Sequence, residues 1–129
     1  MDSRLVIANI IVLIALVFHF YWGDKDIQSI SPKASEAKKV ENWIMARGAF
    51  HVVSMDLFII TTVLSLLNFT DLLTSYRTML LTIMSIYFMV NALVFFLVIA
   101  ISAPLHKKFL KLFQWSIFII ISALIYWSI

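Results

Sequence analysis

The chain contains no cysteine among its 129 residues, which excludes disulfide staples, thiolate metal sites, iron–sulfur clusters and cysteine nucleophiles. Glycine is nearly absent too, with two residues, so no glycine-rich phosphate loop can be built. Neither a Gly-x-Ser-x-Gly elbow nor a His-Glu-x-x-His pair is present. Charge is scarce, at 13% of residues against roughly 25% in soluble domains. What fills the space is apolar: 63% of the chain is hydrophobic, far above the share a water-solvated domain carries. The formal charge of +3 resides in loops beside apolar runs, where basic residues set membrane orientation. Nucleic acid is not an expected partner.

A helix crossing a hydrocarbon layer of ~30 Å needs about 20 mostly apolar residues, and the chain has room for four. The first run spans Leu5 to Trp22, interrupted by Asn9 and His19. Its exit bears Phe20, Tyr21 and Trp22 instead of the small residues a signal peptidase requires, so an uncleaved helix with an aromatic anchor is expected. Residues 23–42 form the one sizeable polar segment, with Asp24, Lys25, Asp26, Glu36, Lys38, Lys39 and Glu41. Ser31 can cap a helix beginning at Pro32, and since no breaker follows, that helix is expected to run on into the second span, about Trp43 to Phe69. The residues Asn68 to Asp71 make a tight connection with Thr70 or Asp71 as the next N-cap. The third span covers about Met79 to Ala103, stopped by Pro104, and the fourth runs from Phe109 to Ile129. The expected fold is all-α: an integral membrane bundle of four transmembrane helices forming a single domain over residues 1–129.

Orientation follows from the basic residues. Lys25, Lys33, Lys38, Lys39, Arg47, Lys107, Lys108 and Lys111 lie on one side of this threading and Arg4 and Arg77 on the other. Eight against two places the 23–47 and 104–111 segments on the cytoplasmic side and both termini outside, as in a bacterial inner membrane.

An ionisable side chain within hydrocarbon costs roughly 2.5–3.5 kcal/mol on insertion scales, and the second span holds three. Arg47, His51, Ser54, Thr61 and Ser65 fall within an arc of about 90° on a helical wheel, a polar stripe facing other helices. Arg47 is close enough to the interface to snorkel, with His51 about 6 Å deeper on the same face. Asp56 lies about 20 Å along the axis from Trp43, near the midplane, and points about 140° away from His51. Its expected partners are Asn91 and Tyr87 of the third helix. A hydrogen-bonded helix-to-helix link is the plain reading of Asp56; a proton pathway or ligand contact is the sharper one. His19 and Gln114 share the depth of Arg47 and His51. With Tyr21, Trp22, Trp43 and Trp115 they are expected to ring a shallow cavity, making His19, Arg47, His51, Asp56, Asn91 and Gln114 the candidate ligand-binding residues. No metal is expected at His19 and His51, which have no ligand spacing and no accompanying carboxylate. No cofactor is specified.

The Phe18-His19-Phe20-Tyr21-Trp22 run, Arg47-Gly48-Ala49-Phe50-His51 and Gln114-Trp115 resemble a pattern of small bacterial four-helix membrane proteins of unassigned activity, which implies the architecture alone. A second similarity is to the MAPEG superfamily, the membrane-associated proteins of eicosanoid and glutathione metabolism. There a second-helix histidine precedes an acid by five positions, as His51 precedes Asp56, and Ala103-Pro104-Leu105 resembles the turn into the fourth helix. That resemblance implies four helices, outside termini and a cytoplasmic-side site. Val53 stands where the family has asparagine, and no arginine lies two positions before His51, so the glutathione-binding groups are not in place. The functional expectation is an accessory subunit of a larger membrane complex or homo-oligomer, or a binder of a lipophilic ligand in contact with membrane lipid. An intramembrane enzyme using His51 as acid/base and Arg47 as anion holder, or an ion pathway through Asp56, are the alternatives.

Overall fold

A computed structural model describes residues 2–102 and 106–129. Every regular element among them is helical. Helix α1 (Ser3–Phe18) continues through a π-turn (His19–Gly23) into α2 (Asp24–Ser29). Then come α3 (Ala37–Phe69), a 3-10 turn (Thr74–Tyr76), α4 (Arg77–Ile101), α5 (Lys108–Lys111) and α6 (Gln114–Tyr126). Three continuous helical stretches, Ser3–Ser29, Ala37–Phe69 and Thr74–Ile101, are long and apolar enough to cross a membrane. Their surfaces match: Val52, Phe58, Val94 and Leu97 are all more than half exposed, an arrangement that water penalises and lipid tolerates.

Several boundaries differ from the sequence-based expectation. The first helix does not stop at Trp22, because Gly23 is itself helical (φ −62°, ψ −37°). The residues 31–36 are non-helical and α3 begins at Ala37, not Pro32. There the Glu36 backbone carbonyl accepts the N–H groups of Lys39 and Val40, opening the helix, while its carboxylate pairs with the Lys39 side chain. From Ala37 the helix does run unbroken into the apolar span. Its 33 residues extend about 50 Å, more than a bilayer core of ~30 Å, and the polar Lys38–Glu41 end makes up part of the excess. Thr70 does not cap the next helix; its hydroxyl donates to Leu66 O at 2.8 Å and closes α3 instead. The stop at Pro104 and the turn at residues 103–105 lie outside the described residues. The fourth apolar run is split: Leu112 leaves helical geometry (φ −111°, ψ 61°), and only Gln114–Tyr126 forms the longer helix. The Trp115 indole N–H donates to Phe109 O at 3.3 Å, satisfying a carbonyl near the break.

The described residues group into two units, one comprising residues 2–8, 64–102 and 106–129 and the other residues 9–63. In the first, α4 and α6 pack antiparallel. Leu81, Met84, Ser85, Phe88 and Ala92 on α4 and Ile121, Ser122 and Ile125 on α6 are buried, each set at three- and four-residue spacing. The helices are stitched by Ser85 Oγ donating to Ser122 O (3.0 Å) and Ser122 Oγ donating to Ser85 O (2.8 Å). Small hydroxyl residues permit this close approach and spend their polarity on the neighbouring backbone. Phe88, 1% exposed, lies 6.0 Å from Phe118, and Phe96 meets both Phe109 and Trp115. Arg77 Nη1 donates to Leu67 O at 3.1 Å, a cation against the C-terminal carbonyls of α3.

Candidate functional site

In the unit of residues 9–63, α1–α2 and α3 run antiparallel, since contacts join His19 to Ser54, Asp24 to Arg47 and Ile27 to Trp43. The π-turn supplies the local geometry. Its wider turn is wrapped around the Phe50 ring: His19 stacks on one face with centroids 3.7 Å apart and planes 8° from parallel. Gly23 meets the ring edge so closely that a Cβ there would lie 2.4 Å from Phe50 Cζ. Glycine is required at position 23 by that approach. Beyond the ring, Ser54, 3% exposed, places its Oγ 3.0 Å from His19 Nδ1 and 3.4 Å from Phe50 O.

Directly after Gly23 the polar groups converge on Asp24. Arg47 donates from Nε to Oδ1 (3.0 Å) and from Nη2 to Oδ2 (3.2 Å), a two-pronged pair. His51 Nε2 lies 3.1 Å from Oδ1, and Gln28 Nε2 donates to Oδ2 at 2.5 Å. Each carboxylate oxygen therefore accepts two hydrogen bonds, which fills the acceptor capacity of an ionised carboxylate. An ionised carboxylate only accepts, so the proton of the His51 imidazole that faces it belongs to Nε2. The Asp24 side chain is 20% exposed, Arg47 35% and His51 39%, so water or headgroups reach the cluster edge. Trp43 closes the end by donating its indole N–H to Ile27 O at 2.8 Å, with the Arg47 guanidinium 5.6 Å from its ring.

Four of the six expected residues, His19, Arg47, His51 and Asp56, fall in this unit, and the first three lie along one line of contacts. Arg47 does not merely snorkel and His51 is not without a carboxylate, because Asp24 serves both. Asp24 was the residue sequence reasoning missed: it stands 23 and 27 positions from these partners, in a stretch expected to be loop. The signal that could have found it is depth. If Trp22 and Trp43 mark one interface and the first helix continues, Asp24 comes level with Arg47.

Asp56 sits half-buried on α3. Tyr87, Asn91 and Gln114 belong to the other unit, where Asn91 Nδ2 donates to Tyr87 O at 2.9 Å within its own helix and Gln114 is exposed at the start of α6. Of the residues expected to ring a shallow cavity, Tyr21 and Trp22 do line one. It is an open groove of about 450 Å³ on α1 and the π-turn, bounded by Leu16, Val17, Phe20, Tyr21 and Trp22. Among the described residues no three His, Cys, Asp or Glu side chains assemble with metal-binding geometry.

The chain matches no family model, no curated protein sequence and no solved structure.

Proposed function

We propose that this chain is a four-span membrane protein that binds a lipophilic molecule, acting as an accessory component instead of a catalyst. In this reading α5 and α6 together make the fourth crossing, both termini lie outside, and the basic 23–42 segment faces the cytoplasm of a bacterial inner membrane. The observation that carries the binding role is the wholly apolar groove on the lipid-facing side of α1, made by the π-turn and placed at the aromatic end of the span. Supporting it, the Asp24–Arg47–His51–Gln28 cluster is saturated internally. Those groups hold two helices together, and the guanidinium fork an anionic substrate would need is engaged with Asp24.

The test is retention. Purified in mild detergent and examined intact by mass spectrometry, the chain is expected to carry a lipophilic molecule. Val17→Trp, which fills the groove, should displace it without lowering thermal stability. A chain free of bound lipid in every mild detergent would overturn the proposal. A second reading rests on the Asp24–His51 contact, which orients an imidazole as a general base requires. It calls for turnover of a lipid-soluble substrate that His51→Gln abolishes at unchanged stability.

A further inference from the structure

Tyr21, one of the groove's lining residues, is met from outside the groove by Lys25. Lys25 Nζ donates to Tyr21 Oη at 3.1 Å and stands 4.1 Å from the Tyr21 ring centroid. The tyrosine oxygen accepts there, so its own proton is left to donate. Two N–H groups of the ammonium and one O–H are therefore left to donate where Lys25 meets Tyr21. Lys25 has no carboxylate within ion-pair distance among the described residues. The neighbouring Asp24 is held by Arg47. The outcome is a cation and a hydroxyl, both on exposed residues, the hydroxyl belonging to a residue that lines the apolar groove.

The π-turn is what aligns the two parts. A regular helix places residues 16 and 17 beneath 20 and 21, whereas the wider turn brings 21 and 22 onto the same face. Leu16, Val17, Phe20, Tyr21 and Trp22 then line one groove. Stacking of Trp22 on Phe18 at 4.6 Å fixes the far wall. A groove of this kind inside a bilayer is filled by hydrocarbon, and the molecule that places hydrocarbon there with its polar end at Lys25 is a bilayer lipid.

Resting on the lipophilic-binder reading above, we infer that the groove seats a glycerophospholipid of net negative headgroup, its acyl chain along Leu16 and Phe20 and its phosphate oxygens on Lys25 Nζ and the Tyr21 hydroxyl. Charge complementarity makes the choice. A zwitterionic lipid carries its own ammonium, which competes with Lys25 for the phosphate, while an anionic lipid brings the counter-charge Lys25 lacks.

The experiment uses the full chain reconstituted in nanodiscs of equal parts phosphatidylglycerol and phosphatidylcholine, released into mild detergent, with retained lipids counted by native mass spectrometry. Phosphatidylglycerol should be enriched about fivefold, the worth of one lysine near an anionic lipid. Lys25→Gln should bring the two lipids to parity and Tyr21→Phe should weaken the preference. Leu16→Ala should lower both lipids together, and Lys33→Gln, outside the groove, should leave the ratio unchanged. Equal retention by the unmodified chain, or an enrichment that survives Lys25→Gln, overturns the headgroup assignment and leaves the binder reading standing. Retention of neither lipid overturns both.

Discussion

Substituting Gly23 by alanine isolates the packing of the π-turn from everything else in the chain. The added methyl would lie 2.4 Å from Phe50 Cζ and 3.2–3.3 Å from the two adjacent ring carbons, so relief to ordinary contact needs a shift of about 1 Å. Phe50 cannot supply it freely, because His19 is stacked on its face. Overpacking of this kind costs about 1–3 kcal/mol, and the helix-propensity gain of alanine over glycine returns at most ~1 kcal/mol. The net expectation is a loss of about 1–2 kcal/mol. Gly48 is the matched control: it is helical, and a Cβ there meets nothing within 4 Å. Gly48→Ala should therefore stabilise by about 0.5–1 kcal/mol. Thermal unfolding in detergent, followed by circular dichroism, should show the two substitutions moving the midpoint in opposite directions. Phe50→Leu in the Gly23→Ala background should recover part of the loss through coupling between touching residues. If Gly23→Ala raised the midpoint as Gly48→Ala does, Phe50 would not lie against the π-turn and the geometry of the site would fall with it.

Three further outcomes are expected. Asp24→Asn should leave Arg47 facing a neutral amide, and hydrogen exchange at residues 24–29 should accelerate; adding Arg47→Gln should slow it again, because an uncompensated cation costs more than a missing pair. Ser85→Ala should destabilise the α4–α6 pair by about 0.6 kcal/mol, measured by unfolding in detergent, while Ser85→Leu should separate the helices and cost several times more. Trp115→Phe keeps the ring beside Phe96 but removes the indole donor to Phe109 O, so exchange of the backbone around Leu112 should rise with little change in the global midpoint.

Much of the helical architecture was legible because lipid imposes a blunt rule: long apolar runs must be helices, and three of the expected spans are helices of sufficient length. The polar stripe on α3 was legible as well, since Arg47, His51, Ser54 and Thr61 share a face by spacing alone, and Ser54 and Thr61 are indeed buried. The π-turn was not. In α1 the sequence is apolar on every side, so no periodicity exists for an extra residue to disturb. The break at Leu112 was equally hidden, because it follows no proline or glycine and its freed carbonyl is met by an indole. Asp24 was missed for a third reason: its partners are distant in sequence, and only the helical continuation past Gly23 brings them to it.

Asp24 serves Arg47 and His51 together, so that the polar residues of this unit clamp helices and leave binding to the apolar groove. Solid-state NMR of the chain in lipid bilayers measures it directly through the dipolar coupling between the labelled His51 Nε2 and Asp24 Cγ, with the histidine nitrogen shifts reporting the tautomer. A strong coupling, with the proton on Nε2, is the predicted result, in keeping with the 3.1 Å contact. A bare Nε2 with the proton on Nδ1, or a separation beyond hydrogen-bond reach, would contradict it.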